Sequence, residues 1–194
     1  MRARDGLIEA TVGLLRRHGV AGTGLTAITE ASGRSRRTIY LNFPQGKAQL
    51  VEAATRAAGQ FMADVIAALP LEDPAAAIRR FGALWETTLI ESRFLSGCPI
   101  VAAALGRAEA PEAADAAGDA FRQWIETLTD SLVEHSAMEP RRARAVATTM
   151  VATVEGAIIM SAATRSVEPL HQALSVLEEL VAPDDRSVTP RTSV

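Results

Sequence analysis

Residues 32–44 read Ser32-Gly33-Arg34-Ser35-Arg36-Arg37-Thr38-Ile39-Tyr40-Leu41-Asn42-Phe43-Pro44. Gly33 breaks the helix before it, Arg34 completes a turn, and the Ser35 hydroxyl suits the N-cap of a new helix. The spacing predicts a short helix from Arg36 to Leu41 or Asn42, closed ahead of Pro44. Ile39 and Phe43 anchor its inner side, leaving Arg36, Arg37, Thr38 and, one turn on, Tyr40 facing outward. Upstream, Gly22-Thr23-Gly24 is a loop, and Leu25–Ser32 reads as a short helix with Leu25 and Ile28 inward. Before that loop, Ala3–His18 places Leu7, Ile8, Thr11, Leu14, Leu15 and His18 on one helical face and stops at Gly19. Two short helices about a glycine turn, behind a supporting helix, are a helix-turn-helix arrangement.

The chemistry suits DNA. The second helix of such a unit enters the major groove with its N-terminal residues toward base edges. Arg makes bidentate contacts to guanine, and Thr reaches either a base or a thymine methyl. Asn42 and Lys47 lie just beyond, within reach of phosphates, and the amide end of the next helix favours an anion. Charge agrees: residues 1–50 carry eight Lys/Arg against three Asp/Glu, whereas the remaining residues carry twelve against twenty. A basic head on an acidic body points to a polyanion partner for the head alone. The plainer alternatives are a solvated basic turn between core helices and a chance cluster of charge.

Beyond the head, 48% hydrophobic residues, mostly Ala, Leu and Val, with 4% aromatics, indicate an all-α chain with a sizeable core. Pro44-Gln45-Gly46 turns into a long helix from Lys47 to about Leu69. Further helices follow at Pro74 to about Arg93, Pro99–Ala108, Pro111–His135, Pro140–Thr164 and Glu168–Val181, about nine in all. Residues 1–46 then form a DNA-binding domain, 47–182 a helical ligand-binding and dimerisation domain, and 183–194 a flexible tail. No signal-peptide core follows the basic N-terminus, and the single cysteine excludes an internal disulfide, so a cytoplasmic location is expected. The stretch 145–163 is apolar but rich in Ala, Thr and Gly with Glu155 near its middle, which favours a buried interface helix over a membrane span.

The run from Gly22 to Ile28 followed by Ser32 to Pro44 resembles the DNA-binding domain of the tetracycline-repressor (TetR) family. Its S-x-x-T-[IL]-Y-x-x-F pattern stands here as Ser35, Thr38, Ile39, Tyr40 and Phe43. The resemblance implies that Arg36, Arg37 and Tyr40 face the groove with Thr38 beside them. It also implies that Thr23, Asn42 and Lys47 hold the backbone, and Thr26 joins the DNA-binding set. It implies a homodimer, a roughly palindromic double-stranded operator and release by a small-molecule inducer. Gly24 departs from the family's usual hydroxyl cap, and Gln45-Gly46 lengthens the turn before Lys47. That turn, with Gly97-Cys98-Pro99 ahead of an alanine-rich helix, is similar to the lincomycin-resistance-type repressors, which implies a planar, aromatic or antibiotic-like inducer.

For a cavity that takes a small apolar or aromatic molecule, the candidates are Phe81, Trp85, Ile100, Phe121, Trp124, Met150, Thr153 and Val154. Thr149 and Glu155 are further polar anchors, and ordinary core is the alternative for each. Pro140–Thr164 is apolar almost all round, with Ala152, Gly156 and Ala163 allowing close helix approach. Leu170, Leu174, Leu177 and Val181 on the last helix offer a second stripe for a dimer interface. Cys98 has no activating base near it in sequence, since His18, His135 and His171 are scattered, and no clustered ligands suggest a metal. The expectation is a DNA-binding regulator with no cofactor and no catalytic role. The rival readings are a helical carrier or adaptor, and a small enzyme around Cys98, a His and Glu155.

Overall fold

The computed structural model describes residues 2–182, and the expected tail at 183–194 lies outside them. Among the described residues the chain is all-helical: α1 (Ala3–His18), α2 (Leu25–Ser32), α3 (Arg36–Asn42), α4 (Lys47–Ala67), α5 (Pro74–Glu91), α6 (Pro99–Leu105), α7 (Pro111–Ser136), α8 (Pro140–Thr164) and α9 (Glu168–Val181). Local chemistry sets most of these ends. Asp73 caps α5 by accepting from the Ala76 amide, Glu139 caps α8 through both carboxylate oxygens, and Pro opens α5, α6, α7 and α8. Helix α5 stops at Glu91, two residues before the expected end, because Arg93 and Phe94 take positive φ and the Phe94 amide returns to Leu89 O. Helix α6 ends at Leu105, where the Gly106 amide closes onto Ala102 O and Ala103 O.

Two apolar cores organise these helices. Leu7, Ile28, Ile39, Phe43 and Leu50 form a small core that unites α1, α2 and α3 with the first turn of α4. A larger core runs through α4 to α9 and takes in Leu15 and Val20 from the head. Helices α1 and α4 therefore serve both, with Leu7 and Leu50 in the first core and Leu15, Val51 and Ala54 in the second. On α1, His18 is exposed rather than inward, because the face that meets α4 carries Leu7, Thr11 and Leu15 instead.

Helices α4 and α7 run in the same direction side by side, with Arg56 beside Asp119 and the Ser131 hydroxyl on Leu71 O just past the end of α4. Near their middle they touch: a Cβ on Gly59 would lie 2.8 Å from the Ala120 Cβ, tighter than real side chains approach. The Trp124 indole N–H donates to Gly59 O across this contact at 3.1 Å. Helix α9 buries Leu170, Leu174, Leu177 and Val181 within its own chain, with Leu174 on Gly82 of α5, where any side chain would collide with it. This corrects the expectation that this stripe meets a second subunit.

Candidate DNA-reading surface and ligand cavity

Helix α3 is fixed by its cap and its anchors. Ser35 accepts the Thr38 amide at 3.2 Å, and its hydroxyl pairs with the Thr38 hydroxyl at 3.0 Å. Ile39 and Phe43 are buried, and the Arg4 guanidinium covers the Phe43 ring from 5.1 Å. With that side held, Arg36 and Arg37 are exposed, and Tyr40 is half-exposed. Arg36 donates to the Thr26 hydroxyl on α2 at 2.8 Å, which joins the exposed faces of the two helices. Gly46 explains the longer turn ahead of α4: its φ of +68° suits glycine, and a Cβ there would lie 3.1 Å from the Tyr40 ring. The turn thus gives Tyr40 a surface to lie against.

The backbone-holding set divides. Thr23 is fully buried and its hydroxyl donates to Gly19 O at 2.6 Å, so it locks the α1–α2 loop and offers no side-chain atom to a phosphate. Lys47 is half-buried with Nζ donating to Val20 O at 3.1 Å, tying α4 to the same loop. Asn42 donates to Thr38 O at 2.8 Å and remains half-buried at the end of α3. Sequence reasoning passed over Leu41, which is 72% exposed and stands one turn beyond Arg37 on the same helical face. Its i, i+4 spacing from Arg37 was the available signal.

In the body, α4 and α7 carry larger side chains past the Gly59–Ala120 contact, and a cavity opens beside them. This narrow cavity of about 70 Å³ is lined by Met62, Ile66 and Leu69 of α4, Phe81 and Trp85 of α5, Trp124 and Leu128 of α7, Met150, Val151, Val154 and Glu155 of α8, and Leu174 and Leu177 of α9. Phe81, Trp85, Trp124, Met150 and Val154 are brought together there; Ile100, Phe121 and Thr153 are not. Ile100 packs beside Gly59, at the middle of α4. Phe121 stands edge-on against Trp124, its centroid 5.4 Å away, and buttresses the wall from behind. Thr153 falls off the α8 face that carries positions 150, 151, 154 and 155. Thr149 is exposed, its hydroxyl turned back to Ala145 O.

Two lining side chains carry unpartnered polar atoms. Trp85 is buried and its indole N–H meets no acceptor, while the buried Glu155 Oε2 meets no donor. Burial pushes the Glu155 carboxyl up to about 7, opposed by the neighbouring Cys98 thiol, which favours the carboxylate. Burial likewise pushes the Cys98 thiol well above its ordinary value, which leaves it protonated and a poor nucleophile. Glu155 also faces a groove on the head side of the body, lined by Arg16, Arg17, His18, Cys98 and Glu109 among others.

The head is bonded to the body beside this point. Arg16 of α1 donates through Nε to Gly97 O at 3.2 Å, and the Gly97 amide donates back to Arg16 O at 2.9 Å. The Arg16 guanidinium lies 5.7 Å from the centroid of the Trp85 ring, so one residue of the cavity wall touches the head directly. Among the described residues no group of three or more His, Cys, Asp or Glu is placed to hold a metal ion.

The exposed side of the last two helices is apolar. Ile159 and Met160 of α8 are more than half exposed, with Ala152 and Ala163 exposed on the same side, and Val176 and Leu180 of α9 are exposed as well. A Cβ on Gly156 would meet nothing within 4 Å. By length and composition α8 would pass for a membrane span, yet it packs on α7 and α9 with Arg141, Arg142 and Arg144 at its polar end in solvent.

Comparison with known proteins places these features in a family. A model of bacterial regulatory proteins of the tetR family matches residues 7–54, and a model of the C-terminal domain of LmrA/YxaF-like transcriptional regulators matches residues 74–176. The HTH-type transcriptional regulator LmrA of Bacillus subtilis is 26% identical over 182 residues, covering 92% of this chain and 96% of that protein. An HTH-type transcriptional regulator of Mycobacterium tuberculosis is 28% identical over 188 residues, covering 92% of this chain and 93% of the other. In fold, the regulatory protein TetR from Rhodobacter sphaeroides superposes with a TM-score of 0.83 at 21% identity, covering 91% of this chain and 97% of its own.

Proposed function

The chain belongs to the tetR family of bacterial regulatory proteins, and from that premise we propose that it is a homodimeric repressor released from a palindromic operator by a small molecule bound in the body cavity. The carrying observation is the outward face of α3. Arg36, Arg37 and Tyr40 are exposed on a helix whose other side is locked by Ile39 and Phe43, so their positions are set before DNA arrives. Arg37 and Arg36 read guanine, Leu41 and Thr38 meet thymine methyls, and Tyr40 and Asn42 fix the helix against the backbone. Thr26 holds Arg36 in place rather than reading a base itself.

The exposed apolar side of α8 and α9 makes the dimer. Ile159, Met160, Val176 and Leu180 meet their copies across a two-fold axis, and Ala152, Gly156 and Ala163 let the helices approach. The two heads then address half-sites about one helical turn (~34–36 Å) or a multiple apart. Ligand acts through the junction beside Trp85: filling the cavity moves the ring on which Arg16 rests and shifts the population toward dimers with the wrong head spacing.

The test is fluorescence anisotropy of the full chain on a duplex from its own upstream region and on a scrambled duplex, over a salt series. Tight, sequence-dependent binding of a dimer, weakening steeply with salt, supports the proposal. Equal weak binding to both duplexes, with no site recovered by selection from genomic fragments, overturns it.

A further inference from the structure

We infer that the cavity takes a slender apolar cation, a lipophilic amine whose ammonium group is received by Glu155 and whose hydrocarbon body lies among Trp85, Trp124 and Phe81. The inference rests on the cavity being the inducer site, and it names the chemical class of that inducer.

The lining supplies one formal charge. Its remaining side chains are aliphatic, aromatic or thioether, and no Lys, Arg or His among the described residues lines it. Glu155 Oε2 is buried without a donor, the Cys98 thiol is the carboxyl's polar neighbour, and among the described residues no ion pair includes Glu155. Arg16, the cation on the head side, is occupied by Gly97 O and the Trp85 ring. Burial raises the Glu155 carboxyl to about 7, so it is about half protonated near neutral pH, and an incoming ammonium supplies the countercharge that holds it ionised. An anion would meet that carboxylate in a low dielectric and be repelled. A purely hydrocarbon ligand would fill the space but leave the buried Oε2 still unpaired, gaining nothing at that atom.

The other polar atom sharpens the fit. Trp124 spends its N–H on Gly59 O, whereas the Trp85 N–H is uncommitted. Both open polar atoms therefore belong to residues beside the head, Trp85 through Arg16 and Glu155 through the groove that Arg16 and Cys98 share with it. The ligand's polar end is thus expected at the head side and its apolar end toward Leu69, Leu128 and Leu177. The aromatic and thioether walls, Trp85, Trp124, Phe81, Met62 and Met150, favour a cation over a neutral group of equal size. An ether or carbonyl oxygen close to the amine would accept from Trp85.

The experiment compares three probes of one shape on the full chain by isothermal titration calorimetry: 4-phenylbutylamine, 4-phenylbutanol and 4-phenylbutyrate. The amine is expected to bind about tenfold or more tighter than the alcohol, the margin of one charge-assisted hydrogen bond, and the carboxylate not at all. Glu155→Gln is expected to bring the amine down to the alcohol, with cooperative urea unfolding reporting that the variant is folded. Equal binding of amine and alcohol to the parent chain overturns the cation inference and leaves the cavity as an inducer site for neutral molecules. Preferred binding of the carboxylate overturns it outright. If no probe binds, this inference and the cavity reading both fall, while operator binding, measured separately, still stands or falls alone.

Discussion

The head closes around Leu7, Ile28, Ile39, Phe43 and Leu50 with every one of them at most 1% exposed, and its working groups all point outward. The body, with many more buried side chains, leaves a cavity in its middle, and two residues that line it, Glu155 and Trp85, keep a carboxyl oxygen and an indole N–H unpartnered. The head is a rigid surface that reads something larger than itself. The body is a shell around a cavity. The contrast teaches that packing quality follows what each region has to hold. Under the proposed function it is tight where side chains are to be fixed for DNA, and incomplete where a guest is to complete the core. Helices α1 and α4 join the two, because each carries residues of both cores, and so a change in one region has a short route to the other.

The sharpest way to break this comparison is to damage the smaller core alone. Phe43→Ala is expected to remove about 3–5 kcal/mol from the head and to abolish operator binding, while a cavity ligand still alters the fluorescence of Trp85 and Trp124. Loss of both activities at once would mean that head and body unfold as one unit.

Next in size is a change at the cavity. Glu155 has its carboxyl raised to about 7 from 4.5 by burial, so the folded chain binds its proton more tightly than the unfolded one. That contribution to stability is fully present below about pH 4.5 and lost as pH rises through about 7. The titratable and charged groups around it are Cys98 beside it and Arg16, Arg17, His18 and Glu109 across the groove. Glu155→Gln, neutral throughout, is expected to exceed the parent's stability near pH 8 by up to about 3 kcal/mol. Near pH 4 it should match the parent, as followed by urea unfolding. An equal effect at both pH values would place the carboxylate in water and not in the body's interior.

On the head's outer face the expected effects are smaller and specific. Arg37→Ala and Tyr40→Ala should each weaken the operator complex by about 1–3 kcal/mol, with little change on scrambled DNA and none in the melting temperature. A drop in stability would show that these side chains belong to the core. Smallest of all, Gly24→Ser gives α2 the cap it lacks; the added Cβ meets no atom within 4 Å. A gain of about 0.5–1 kcal/mol is expected from capping and a stiffer unfolded chain, with operator affinity unchanged.

Much of this molecule is legible in a line of text because a helix announces itself within its own length. Ser35, Gly33, Gly19 and the prolines opening α5 to α8 are local signals, and the candidate DNA-reading residues Arg36, Arg37, Thr38 and Tyr40 stand close together on one short helix. Thr23 and Lys47 were harder, since a hydroxyl or an ammonium suits a phosphate as well as a carbonyl. Only the folded α1–α2 loop shows Gly19 O and Val20 O already in place to receive them. The cavity was half legible: aromatic and sulfur-bearing residues on four helices mark a body with space to fill, but not which of them meet.

The sequence by itself determined where each helix begins and, to within three residues, where it ends, the helix-turn-helix unit with its outward Arg36, Arg37 and Tyr40, and the charge divided between head and body. All of these depend on neighbours within about one or two turns of chain. Only the tertiary structure decided that Leu170, Leu174, Leu177 and Val181 face inward and Val176 and Leu180 outward. It alone placed Ile100 and Phe121 behind the cavity wall, and it alone brought Arg16 onto Trp85. Those outcomes depend on how far apart two helices lie, and that is set at single contacts such as Gly59 on Ala120 and Gly82 on Leu174. A glycine's missing side chain says that something comes close, and only the packed chain shows what.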